Sequence, residues 1–359
     1  MKALALSAAA ILALTAPGLG GPRASVAETP PAAPDRQGVT VIRGVPYPGA
    51  AQGDRRRSLD LYLPADRKQK PPLLIFVHGG FWLLDDDRYQ IGPALAQALV
   101  REGVAVALLR YRLAPGARHP AQVDDVAAGV ALLVRQADRH EYDRKRIFLA
   151  GHSAGGHLAA LVALDPRHLG RHQLGPAALA GVIGFSGIYD LSLRPGISDN
   201  QRDAIEKTFG TDAGVLAEAS PVRHVSAAAP PFLVIGAQDD FPEFLPDARS
   251  FAEALMRAGQ RDVDRFAVPG RDHFSLVNLD GRDNVVRHRV LDFLKAQALP
   301  RSSSSGPTPG GDGAIRPSRV VGLDDETRRE AARHRPSRSG PPARAALSRM
   351  PGAGPRSPG

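Results

Sequence analysis

From residue 39 to about residue 297, two hydrophobic rhythms alternate along the chain. Short apolar runs at 73–77 (LLIFV), 104–109, 146–150 (RIFLA), 179–185 and 232–235 predict strands buried on both faces. Between them the apolar positions follow a helical period. Helices are predicted over 91–102, around Val123, Val126, Val130 and Leu133, over 156–164, around Ala248, Phe251, Ala252 and Leu255, and over 284–297. An earlier segment, 57–64 (RSLDLYLP), alternates as a strand with one exposed face would, and a further strand is expected at 265–268. Strands alternating with helices predict an α/β fold, a mostly parallel central sheet with helices on both faces.

Two stretches interrupt this rhythm. Residues 191–220 are polar and irregular apart from a helical patch at 201–209, and as an insertion between strands they are a possible lid or cap. The other, 83–89, contains Asp85, Asp86 and Asp87.

The ends of the chain follow different rules. Residues 1–27 join Lys2, an apolar run at 3–16 and a small-residue site ending at Ala27, the layout of a signal peptide, which predicts a secreted or periplasmic destination. The run is too short to span a bilayer comfortably, so no membrane span is expected once the signal is removed; an uncleaved anchor is the alternative. A linker at 28–38 precedes a body at 39–299. From 300 to 359 the chain is rich in Pro, Gly, Arg and Ser and reads as a disordered tail, because it lacks the apolar surface to offset its ordering entropy.

Charge follows the same partition. The chain of 359 residues has a net charge of +9, which by itself suggests polyanionic partners. Six of those charges fall in 301–359 and two in 1–27, leaving one for the whole body. No nucleic-acid partner is therefore expected for the body. The absence of Cys excludes disulfides, thiol nucleophiles, Cys-ligated metals and a lipidated N-terminus.

The sharpest chemical signal is Gly151-His152-Ser153-Ala154-Gly155, set between a predicted strand and a predicted helix. A serine on such a turn is held in a strained conformation that presents its hydroxyl, and the flanking glycines remove side chains that would collide. The hydroxyl needs a base and an acid to orient that base. His273 follows the last strand and precedes the last helix, so a loop can bring it to the C-terminal edge of the sheet. The strand at 232–235 leads into Asp239 and Asp240; spacing from Gly236 favours Asp239, with Asp240 as the alternative. Ser153, Asp239 and His273 then stand in the chain order of the α/β-hydrolase fold. Gly79 and Gly80, after the strand at 73–77, together with Ala154 after the nucleophile, are the expected oxyanion-hole N–H donors. One such donor is typically worth about 3 kcal/mol in the transition state.

The ensemble HGGFW at 78–82, RYRLAP at 110–115, HPAQVDD at 119–125, GHSAGGH at 151–157 and SGIYD at 186–190 resembles the α/β-hydrolase serine esterases. The likeness covers about 39–297 and lies near the hormone-sensitive-lipase-like, BD-FAE-type and kynurenine formamidase branch. It implies a metal-independent serine hydrolase, without cofactor, acting on a small-molecule ester. Phe81 and Trp82 stand where hormone-sensitive-lipase-like members carry a further glycine, which resembles the formamidase and BD-FAE-type branch more. Both are candidate substrate-binding residues, although Trp82 is equally suited to packing beneath the oxyanion loop. The expected function is a secreted carboxylesterase working through an acyl-enzyme on Ser153. The alternatives are an arylformamidase and a non-catalytic binding module.

Other features have plainer readings. His168 and His172 suit a surface loop rather than a metal site, and no metal is expected. Asp85 to Asp87 read as a solvated acidic run, Asp124 and Asp125 as helix caps, His78 as a loop-orienting residue and Tyr111 as a buttress of the oxyanion loop.

Overall fold

A computed structural model describes residues 38–86, 90–281 and 283–297. The signal, most of the linker and the tail lie outside the described residues. Eight strands and eight α-helices are described, in the order β1 (Thr40–Pro46), β2 (Ser58–Leu63), β3 (Leu73–Val77), α1 (Ile91–Val100), β4 (Ala105–Leu109), α2 (Ala121–Gln136), β5 (Ile147–His152), α3 (Ala154–Leu164), α4 (Pro166–Gly170), β6 (Gly181–Phe185), α5 (Asp199–Phe209), α6 (Ala213–Glu218), β7 (Phe232–Ala237), α7 (Phe244–Arg257), β8 (Val263–Val268) and α8 (Val285–Ala296).

The strands form one sheet in the order β1-β2-β4-β3-β5-β6-β7-β8. β1 and β2 pair antiparallel, as do β2 and β4, and every later pair is parallel. Side chains of β3 alternate between the two faces. Leu73, Ile75 and Val77 join the cluster that holds residues of α2, α3 and α7, whereas Leu74 and Phe76 join the cluster holding residues of α1 and α8. A strand covered on both sides must be apolar at every position, which is why β3 reads as an unbroken run.

β2 departs from expectation. Its alternating sequence predicts one exposed face, yet all six residues are buried. The polar members survive because they are partnered: Asp60 accepts from the Gly44 backbone N–H at 2.8 Å and from Arg110 at 2.9 Å. β1, which the sequence pattern did not indicate, supplies the Gly44 donor and the outer edge.

The insertion at 191–220 is no loose flap. It contains α5 and α6, and Phe209 at the end of α5 packs edge-on against Trp82, with ring centroids 5.0 Å apart. The His119 N–H donates to the Thr208 carbonyl at 3.0 Å, and the Leu191 N–H to the buried Ser220 hydroxyl at 2.9 Å.

Candidate active site

The C-terminal ends of β3, β5, β6, β7 and the loop after β8 converge on Ser153. This residue links β5 to α3 with φ 55° and ψ −121°, a left-handed φ that strains any side-chain-bearing residue. The glycines around it are sterically required. A Cβ on Gly151 would lie 2.1 Å from the Gly155 carbonyl oxygen, and one on Gly155 would lie 2.1 Å from that of Val77. The turn is therefore the sharp elbow expected from the motif.

The oxyanion loop lies against the elbow. A Cβ on Gly79 would lie 3.1 Å from the Ser153 Cβ, so the bare backbone of this residue is what approaches the serine. Gly80, Phe81 and Trp82 all have positive φ, and a Cβ on Gly80 would lie 2.4 Å from the Leu84 carbonyl oxygen. Ala154 begins α3, whose first N–H groups have no acceptor within the helix. Gly79 thus brings bare backbone against Ser153, with Gly80 next in the same loop and Ala154 at the start of the helix that follows it.

Tyr111 stacks on His78 at 4.4 Å and 11°, and its hydroxyl donates to the His78 carbonyl at 3.1 Å. His78 Nδ1 lies 2.8 Å from the Gly79 carbonyl oxygen, which can only accept, so the proton sits on Nδ1. Burial pushes the His78 imidazole down to about 4, keeping it neutral. Through that bond and the Tyr111 stack it orients the loop. A cavity of about 220 Å³ is lined in part by His78, Asp60 and Arg110, and Ser153 is not among its lining residues.

Trp82 corrects the expectation of a pocket wall. It is fully buried, its Nε1 donates to His157 Nδ1 at 3.2 Å, and its ring meets His157 and Phe209 edge-on. A left-handed φ at Trp82 turns the side chain inward, so it anchors the loop from beneath. Phe81 is half-buried and packs against the same apolar cluster. His157, one turn after the nucleophile, completes a bridge by donating from Nε2 to the Ala219 carbonyl at 2.8 Å. Oxyanion loop, nucleophile helix and insertion are joined through that one imidazole, which burial pushes down to about 3.

The candidate base and acid come from the β7 and β8 side. His273 is buried, and its ring centroid lies 4.6 Å from that of His152, the neighbour of Ser153. His152 Nε2 donates to the His273 carbonyl at 2.9 Å, fixing that loop to the elbow. Burial and the nearby His273 push the His152 imidazole well below its ordinary range.

The carboxylate facing His273 belongs to Asp240, not Asp239. Asp240 Oδ1 accepts from His273 Nδ1 at 2.8 Å and from the Phe241 N–H at 2.8 Å, and Oδ2 accepts from the Ser186 hydroxyl. Asp239 donates its backbone N–H to the Arg271 carbonyl and leaves its side chain in solvent. The physical reason is the length of β7. The strand continues to Ala237, two residues beyond the predicted end, and the turn of the carboxylates shifts with it.

Sequence reasoning missed Ser186 and His152 as supports. Ser186 follows β6, and only the adjacency of β6 and β7 reveals that its hydroxyl meets Asp240. Three minor readings also change. Asp125 is buried and binds Arg57 at 3.2 Å and Arg112 at 2.7 Å, tying the segment after β4 to α2 rather than capping a helix. Asp86 accepts from the Ile91 and Gly92 N–H groups at the start of α1, at 3.1 and 2.5 Å, and so is not merely solvated. His168 is buried in α4 beside Asp165, not on a surface loop. Among the described residues no group of His, Cys, Asp and Glu is arranged to hold a metal ion, and no helix is long and apolar enough to cross a membrane.

Fold and site together define an α/β-hydrolase architecture with a strained serine elbow at Ser153 and a hydrogen-bonded Asp240–His273 pair on the neighbouring loops. Comparison with known proteins gives the family. The BD-FAE family model matches residues 59–252, and the chain belongs to that family. It is 34% identical to the esterase LipC of Mycobacterium tuberculosis, over 67% of this chain and 62% of LipC. It is 32% identical to a kynurenine formamidase of Danio rerio, over 70% of this chain and 80% of the relative. The chain thus spans about three fifths of two mycobacterial esterases it matches, 62% of LipC and 63% of LipQ. A phosphonate-inhibited crystal structure of esterase B from Lactobacillus rhamnosis superposes with a TM-score of 0.63 at 22% identity, covering 73% of this chain and 87% of that one, a likeness of fold.

Proposed function

We propose that this protein is a serine hydrolase cleaving small carboxylic esters through an acyl-enzyme on Ser153. The observation that carries the reading is the strained Ser153 turn, with glycine backbone on one side and the His273–Asp240 pair on the other. Esterases among the relatives support the choice of ester.

In this reading Ser153 attacks the ester carbonyl while His273 accepts its proton. Asp240, fixed by Ser186 and the Phe241 N–H, keeps the His273 proton on Nδ1 and stabilises the imidazolium. The N–H groups of Gly79, Gly80 and Ala154 receive the oxyanion. The imidazolium then protonates the departing alcohol, and water activated by His273 releases the acid.

The purified full-length protein is expected to turn over p-nitrophenyl acetate or butyrate and to be labelled by a fluorophosphonate. Ser153→Ala should abolish labelling and lower kcat by about 10⁵-fold or more. Labelling or substantial turnover by Ser153→Ala would refute the mechanism.

The formamidase relative, matched over most of its length, supports a second reading, hydrolysis of an N-formyl aryl amide at the same serine. Turnover of N-formylkynurenine well above that of simple esters would favour it. Export from the cytoplasm, supported by the composition of residues 1–27, is part of the proposal and is checked by N-terminal sequencing of the mature protein.

A further inference from the structure

Large apolar side chains with substantial exposure are sparse here. Five are exposed among the described residues, and two of them, Phe241 at 43% and Phe274 at 49%, directly follow the acid and the base in the chain. Their rings flank the same imidazole, with centroids 5.3 and 5.4 Å from that of His273. Phe244, buried at the start of α7, lies 4.6 Å from the His273 ring and 6.1 Å from Phe241. Scattered apolar side chains on a surface need no explanation, whereas a cluster beside a reactive group points to a ligand.

The backbone of both residues serves the loops that carry them. The Phe241 N–H donates to Asp240 at 2.8 Å and the Phe274 N–H to Asp272 at 3.2 Å, bonds that any residue except proline would make.

Chemistry fixes which part of a substrate they can meet. In acyl transfer the acyl oxygen occupies the oxyanion donors, whereas the leaving oxygen must reach the base that protonates it. Groups beside His273 therefore contact the alcohol portion. We propose that Phe241 and Phe274 form an apolar clamp for the leaving group, which selects esters of alcohols bearing an aromatic ring. The proposal rests on the reading of Ser153, His273 and Asp240 as the catalytic set. Flat apolar groups fit best because two phenyl faces and edges offer offset or edge-on packing and no hydrogen-bonding group.

The test compares benzyl acetate with ethyl acetate on the full-length protein, because their alkoxide leaving groups have similar basicity and differ chiefly in the ring. Wild type should favour the benzyl ester by roughly tenfold in kcat/KM, the scale of a partly desolvated apolar contact. Phe241→Ser with Phe274→Ser should reduce that ratio at least fivefold while leaving the ratio of ethyl butyrate to ethyl acetate unmoved. Should the double variant fail to fold, the single variants Phe241→Leu and Phe274→Leu, which keep apolar volume, should each lower the benzyl preference by a smaller factor. A merely structural role for the rings would slow both acetates alike and leave their ratio intact, which overturns the clamp. So would a wild-type ratio near one. Failure of the wild-type protein to hydrolyse any of these esters or to react with a fluorophosphonate would instead bring down the underlying esterase reading.

Discussion

Around β3 and β5 the site is shaped by side chains that are missing, whereas around β7 and β8 it is shaped by side chains that are present. On the first side Gly79, Gly151 and Gly155 let backbone meet backbone, and an added Cβ would in two cases come within 2.1 Å of a carbonyl oxygen. On the second side, Asp240 is held by three donors, and the His273 it faces is flanked by two rings that reach solvent. Close packing tolerates no adjustment, so the nucleophile half is defined by local sequence. Hydrogen-bonded loops can select between neighbouring residues, and here they select the second of two adjacent aspartates.

The largest effect should separate those two aspartates. Asp240→Asn removes the acceptor that fixes the His273 tautomer, and kcat/KM for a p-nitrophenyl ester should fall by roughly 10³ to 10⁴. Asp239→Asn should change it by less than about twofold. If the two variants behaved alike, or in reverse, the assignment of the acid would be wrong.

Acid should strike the nucleophile half first. His78 and His157 are pushed down by burial to about 4 and about 3, and His152 also lies well below its ordinary value. The unfolded chain, with imidazoles near 6.5, binds more protons in this range than the folded one. The stability these groups contribute is therefore complete above about pH 6.5 and is lost as pH falls toward 4. Asp247, raised to about 6 by burial, acts in the opposite sense, since its contribution is lost as pH rises from about 4 through 6. Three imidazoles outweigh one carboxyl. The free energy of urea unfolding should thus drop by an amount on the order of several kcal/mol between pH 6.5 and 4.5. A flat profile over that interval would contradict the buried, neutral state of these histidines.

The smallest effect concerns the oxyanion loop. Tyr111→Phe retains the stack on His78 and deletes only the hydroxyl that donates to the His78 carbonyl. One net hydrogen bond is worth about 1 kcal/mol. Steady-state kinetics should accordingly show kcat reduced by about fivefold with KM little changed. A rise in KM alone would mean that Tyr111 acts on substrate binding rather than on loop position.

These contrasts also explain what was legible beforehand. LLIFV could be read as β3 because burial on both faces leaves no polar position, and the elbow could be read because only glycine fits beside Ser153. The alternation of RSLDLYLP misled, since the side of β2 that carries Tyr62 packs with α1 and its Asp60 is paired with Arg110, a residue 50 positions away. Trp82 was ambiguous because one left-handed backbone angle decides whether the indole faces a substrate or the core. Ser186 was unreadable as a support for Asp240 because the two residues lie 54 positions apart and meet only through strand adjacency.

By itself, then, the chain's sequence determined the alternating α/β framework, the strained serine, the glycine backbone around it and the placement of His273 in the loop after the last strand. Each of these follows from a short-range requirement, whether a burial period, a steric exclusion or a loop at a strand end. The tertiary structure alone decided that Asp240 rather than Asp239 faces His273, that Trp82 anchors instead of binding, and that Phe241 and Phe274 converge on one imidazole. Those outcomes depend on where β7 stops and on which strands lie side by side, and such distances are set by the packing of the whole sheet.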